Sequence, residues 1–174
     1  MNSDFAIHLL EISIVMVFFA NKVLILIGKR FAWLFGIIAA SLAIIYFSSR
    51  GNLPLASLQV GILAAAVYGF LKPTKKYIFE LPIRLIIIAV VIAIAVFVLN
   101  GSLELPKSIV SVGILLGNYF LARSNFHIGW LLLGLSNAVT AYFGYLKGHV
   151  FFADFQMATA VVAFVGLISR KMRD

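Results

Sequence analysis

Cysteine is absent from the 174 residues, which excludes disulfides, thiolate nucleophiles and cysteine metal sites. Carboxylates are scarce, with six Asp and Glu against fourteen Lys and Arg, and charged residues make up only 11% of the chain. Soluble domains carry about 25% charged and about 45–50% apolar residues. Here 63% of residues are apolar and the mean hydropathy is +1.10. No stretch is polar enough to form a separate soluble domain. The three histidines, His8, His127 and His149, are dispersed and show no metal-ligand spacing. No Ser-His-Asp set, paired carboxylate or glycine-rich phosphate loop is present, so neither a catalytic site, a metal nor a cofactor is expected.

What the chain does have is apolar runs, each long enough to cross about 30 Å of hydrocarbon as a helix. Residues 5–27, 31–47, 53–71, 81–99, 105–122, 128–146 and 150–169 read as seven transmembrane helices, an all-α polytopic membrane domain occupying residues 1–174. Polar clusters separate them: Gly28-Lys29-Arg30, Ser48 to Asn52, Lys72-Pro73 and Asn100-Gly101-Ser102. The first run exceeds a signal-peptide core and lacks a small-residue cleavage site after it, so it reads as a mature helix. Connections of a few residues make neighbouring helices antiparallel.

Charge bias supports the count. With seven spans, one side collects Lys22, Lys29, Arg30, Lys72, Lys75, Lys76, Arg84, Arg123, Arg170, Lys171 and Arg173, and the other keeps only Arg50, Lys107 and Lys147. The positive-inside rule makes the rich side cytoplasmic, with the N-terminus outside and the C-terminus inside an inner (plasma) membrane. The net charge of +8 is thereby explained without nucleic acid as a partner.

The rarest residues show a repeat. The only tryptophans are Trp33 and Trp130 and the only glutamines are Gln59 and Gln156, each pair 97 positions apart. The same offset joins Asn21 to Asn118, Arg50 to Lys147, Gly51 to Gly148 and Gly69 to Gly166. Residues about 5–72 thus map onto residues about 105–170, leaving a linker helix at about 79–100. Three spans per copy would invert consecutive copies, and one extra span restores the orientation. The expected architecture is two parallel three-helix repeats about an axis along the membrane normal, an arrangement found in transporters.

Trp33-Leu34-Phe35-Gly36-Ile37-Ile38, followed by Tyr46, Gln59 and Tyr68-Gly69, resembles the Pnu vitamin transporters, best known for nicotinamide riboside uptake. Trp130 through Asn137, Tyr142, Lys147-Gly148, Asp154, Gln156 and Gly166 is similar to the same pattern repeated. Phe70 departs from it, standing where the family usually has a tryptophan. The resemblance implies a three-plus-one-plus-three fold and facilitated diffusion, with uptake driven by phosphorylation of the substrate inside the cell. Sugar transporters of the SWEET type share this plan.

Eight residues form the candidate substrate site. Asn21, Asn118, Gln59 and Gln156 are amides within or at the ends of apolar spans, where an unpaired amide costs several kcal/mol. They face the interior either as glue between helices or as ligand contacts. Asn137 sits mid-span with only Ala40 at the matching position of the first repeat, which marks it as the leading ligand-binding amide. Trp33 and Trp130 begin their spans, as interfacial anchors or, following the resemblance, as a stack for a planar ring. Tyr142 offers a hydroxyl or ordinary packing. Glu11 is the one carboxylate plausibly inside a span, though close to the outer boundary, and Asp154 is placed to answer Lys147. Without a chain of acids, proton pumping is not expected. Three functions stay open: a carrier for a small vitamin-like solute, the substrate-binding subunit of a multi-component importer, and a structural or sensory membrane protein. Beyond the solute and the bilayer, a homo-oligomer is left open, and the importer reading adds an energising partner.

Overall fold

The computed structural model describes residues 3–72 and 80–169; the charges at Lys75, Lys76, Arg170, Lys171 and Arg173 lie outside the described residues. Seven helices occupy the described residues: α1 (Ser3–Leu26), α2 (Ala32–Ser49), α3 (Leu53–Leu71), α4 (Glu80–Leu99), α5 (Leu105–Ala122), α6 (Phe126–Leu146) and α7 (Val150–Ile168). Each is long and apolar enough to span a membrane. Pro54 and Pro106 sit at the second helical positions of α3 and α5, within the first turn, where the missing N–H has no intrahelical partner to lose.

The ends differ from expectation by a residue or two, for local reasons. α2 runs on through Ser48 and Ser49, the Ser49 hydroxyl donating to the carbonyl of Tyr46 at 2.8 Å. It stops where Gly51 takes φ +68°. There the Gly51 N–H reaches the Ser48 carbonyl and the Asn52 N–H reaches that of Phe47, satisfying two orphan carbonyls of the last turn. Gly148, 97 positions on, closes α6 with φ +75°. α6 begins two residues early, because Ser124 adopts φ 63° and completes the turn at Arg123–Asn125.

The outer surface of the bundle is apolar, as on α4, where Leu81, Leu85, Ile88, Ile92 and Leu99 are exposed while Ile83, Ile87, Val90 and Ile94 face inward. Lipid is as apolar as leucine, so helix association in a bilayer depends on close packing rather than on expulsion from water. Small residues supply it. α2 buries Ala32, Gly36, Ala39, Ala40 and Ala43 toward its neighbours, and α3 buries Ala56, Gly61, Ala64, Ala65, Ala66 and Gly69.

The packing order is regular. α1 lies on α2 and α2 on α3; α5 lies on α6 and α6 on α7. Between these sets α1 packs on α7 and α5 packs on α3, so the first helix of each set meets the third of the other. α4 contacts α3 and α5.

Basic residues gather at one end of the bundle. Arg30 donates to the Phe70 carbonyl at 3.0 Å, Lys72 to the Ser124 hydroxyl at 2.8 Å, and Glu80 holds both Arg84 and, at 2.9 Å, Arg123. At the other end Lys107 lies 2.8 Å from Glu104 and, as its hydrogen-bond donor, holds that carboxyl below the usual range.

Candidate functional site

A cavity of about 140 Å³ opens inside the bundle, bounded by α1, α3, α5, α6 and α7. Four of the eight expected residues line it: Gln59 from α3, Asn118 from α5, Asn137 from α6 and Gln156 from α7. The remaining four do not. Asn21 is buried beside it, donating from Nδ2 to the Ala32 carbonyl at 2.8 Å, across the α1–α2 contact. Trp33 lines a separate space of about 200 Å³ near Lys29, Arg30 and Lys72 at the basic end. Trp130 is wholly buried among Ile25, Leu121, Leu133 and Ala163, and its indole N–H has no partner among the described residues. Tyr142 is 60% exposed on the outside of α6.

Both tryptophans therefore pack away from the cavity, Trp130 between helices and Trp33 at the basic end. Each covers a glycine: a Cβ on Gly166 would come within 2.6 Å of the Trp130 ring, and one on Gly69 would overlap the ring of Trp33. The two contacts stand at the 97-residue offset in both partners.

In the cavity, the amides are oriented by what their NH₂ groups already hold. Asn137 donates from Nδ2 to the Leu133 carbonyl at 2.7 Å, and Asn118 donates likewise to that of Ile114 at 2.8 Å. Each thereby satisfies a donor within its own helix, and the Asn118 oxygen is left for the Lys22 ammonium. The Gln59 Oε1 is buried with no hydrogen-bond partner among the described residues. Such an orphan acceptor costs about 1–3 kcal/mol unless a donor reaches it.

Two contributions to the wall escaped the sequence. Phe18, Phe19 and Phe155 line the cavity, the rings of Phe19 and Phe155 meeting edge to face at 6.0 Å and 89°. With sixteen phenylalanines in the chain, nothing singles these out in advance. The other is Lys22, counted above among the charges of the cytoplasmic side. Its side chain is buried and lines the cavity, its ammonium donating to Asn118 Oδ1 and, at 3.0 Å, to Asn21 Oδ1. A signal was present: Lys22 lies inside an apolar run, where an ionisable residue is a functional candidate by default.

The two acids also find partners. Glu11 accepts a hydrogen bond from the Tyr46 hydroxyl, and both line a larger space of about 470 Å³ with His149, Phe151 and Phe152. That space is walled mainly by apolar side chains, of which Ile12, Phe151 and Phe152 are exposed, and lacks the convergent amides. Asp154 accepts from the Tyr145 hydroxyl at 2.6 Å, so its partner is Tyr145 where Lys147 was expected.

Seven helices among the described residues, each able to span a membrane, around an interior cavity lined by amides and apolar side chains define a multi-pass helical membrane protein. The family model described as nicotinamide mononucleotide transporter matches residues 8–171, and the chain belongs to that family. It is thus a membrane transporter of a vitamin-precursor family. No curated protein and no solved structure gives a significant match.

Proposed function

We propose that the protein is a carrier for a small, ring-bearing vitamin precursor, nicotinamide riboside or a related compound, working by facilitated diffusion. The observation that carries this reading is the convergence of Gln59, Asn118, Asn137 and Gln156 on one cavity. Asn and Gln each offer a donor and an acceptor without a charge to desolvate, which suits hydroxyls and ring substituents of a neutral or singly charged solute. Phe18, Phe19 and Phe155 offer ring faces and edges in place of the tryptophans. A space of about 140 Å³ is close to the cavity that holds a benzene ring. It accommodates one ring, and a whole riboside requires α1 to separate from α7 and α3 from α5.

That motion fits the rocking of one three-helix repeat against another, the two being related by an axis along the membrane normal, with α4 as the tie. The recurrence of Trp on Gly and the reciprocal contacts of α1 with α7 and α5 with α3 support this reading. The basic end, with Arg30, Lys72, Arg84 and Arg123, faces the cytoplasm under the positive-inside rule, leaving Lys107 outside an inner membrane. Net accumulation then depends on intracellular conversion of the solute.

Purified protein in liposomes, with no ion gradient and no nucleotide, tests the reading against its competitors. The labelled solute is expected to fill the lumen to the outside concentration and no further. A binding subunit would bind without filling, a sensory protein would do neither, and accumulation above equilibrium would contradict facilitated diffusion.

A further inference from the structure

Lys22 is 5% exposed and stands inside a membrane-spanning helix, yet among the described residues no carboxylate lines the cavity that it faces. The acids whose side chains are described are engaged elsewhere: Glu80 with Arg84 and Arg123, Glu104 with Lys107, Asp154 with Tyr145, and Glu11 with Tyr46 about three turns away along α1. A buried charge is normally paired, because desolvation without a counter-ion is costly. Two of its three N–H donors are used, on Asn21 Oδ1 and Asn118 Oδ1. Those oxygens point at the ammonium because the NH₂ groups of the same amides are committed to the carbonyls of Ala32 and Ile114. The pair holds the ammonium in place without neutralising it. One donor, and the positive charge of the protonated amine, remain for whatever enters.

Resting on the carrier reading above, we infer that Lys22, set by Asn21 and Asn118, is an anion-binding subsite, and that the transported precursor carries a carboxylate or phosphate placed on it. A solute whose only charge is a pyridinium meets an ammonium and no acid in this cavity. An acidic group on the ring or on the sugar supplies the missing counter-ion and takes the third N–H. Gln59, with its orphan oxygen, and Asn137 then hold the neutral part of the solute.

Titration calorimetry on purified protein in detergent decides this with three probes. These are nicotinamide riboside, which bears a neutral carboxamide; nicotinic acid riboside, which bears a ring carboxylate; and nicotinamide mononucleotide, which bears a phosphate. At least one anionic probe is expected to bind about tenfold or more tighter than the carboxamide riboside, as a charge-assisted hydrogen bond predicts. Which of the two does so separates ring carboxylate from phosphate. Lys22→Met should remove the preference. Asn118→Asp keeps the lysine but supplies an internal counter-ion, and should weaken both anions even if the methionine variant does not fold. A carboxamide riboside that binds as tightly as both anions, or a preference that survives in both variants, overturns the subsite and leaves the carrier reading standing. Failure of all three probes to bind the parent overturns the precursor reading and the subsite with it.

Discussion

The ammonium of Lys22 donates to the side-chain oxygen of Asn118, joining α1 to α5, the leading helices of the two halves of the chain. The contact is buried on both sides, and it crosses the cavity wall where the halves meet. Asn118→Ala should therefore leave one donor of a buried cation unsatisfied and lower stability by about 1–3 kcal/mol. Lys22→Met, which removes the charge along with its need for partners, should cost less. Thermal unfolding in detergent compares the two. A methionine variant less stable than the alanine variant would show that Lys22 is structural glue.

Trp130 fills the space that Gly166 leaves open, as Trp33 does over Gly69. Gly166→Ala should cost about 1–3 kcal/mol, since the ring is wholly buried and cannot swing away. Gly69→Ala should cost less, because Trp33 is partly exposed and has room to move. Equal melting temperatures for Gly166→Ala and the parent would contradict the tight Trp-on-Gly contact.

The spans were legible because hydropathy and punctuation coincide: α3 and α5 begin and end at the residues read from the sequence, between Asn52 and Lys72 and between Glu104 and Arg123. The four cavity amides were legible for a similar reason, being rare polar groups in apolar runs. Depth along a helix, however, does not fix azimuth. Trp33, Trp130 and Tyr142 have the right chemistry for a ring site but point elsewhere, and Asn21 turns to the Ala32 carbonyl. Lys22 was misplaced for the opposite reason. It lies near the end of its run and close to Lys29 and Arg30, so a count of loop charges absorbs it although its side chain turns inward.

The absence of cysteine makes topology directly measurable. Single cysteines at the exposed positions Lys29 and Lys107 stand at opposite ends of the bundle. In intact cells, an impermeant maleimide should label Lys107→Cys, and Lys29→Cys only after the membrane is opened. Labelling of both in intact cells would contradict the opposite placement of the two ends, and the reverse pattern would overturn the orientation.

The central claim is that the amide-lined cavity between the halves is the transport site, and Asn137 tests it most directly. Its Nδ2 is tied to its own helix and its side chain lines the cavity, while the matching residue Ala40 is buried in helix packing. Leucine at this position keeps the volume and removes the acceptor. Counterflow in proteoliposomes, with a pyridine riboside that the parent protein carries, should fall to background for Asn137→Leu while its elution profile and melting temperature stay near those of the parent. Tyr142→Phe, altered on the exposed side of α6, should exchange at the parent rate. An Asn137→Leu protein that exchanges the riboside as fast as the parent would contradict the assignment of this cavity.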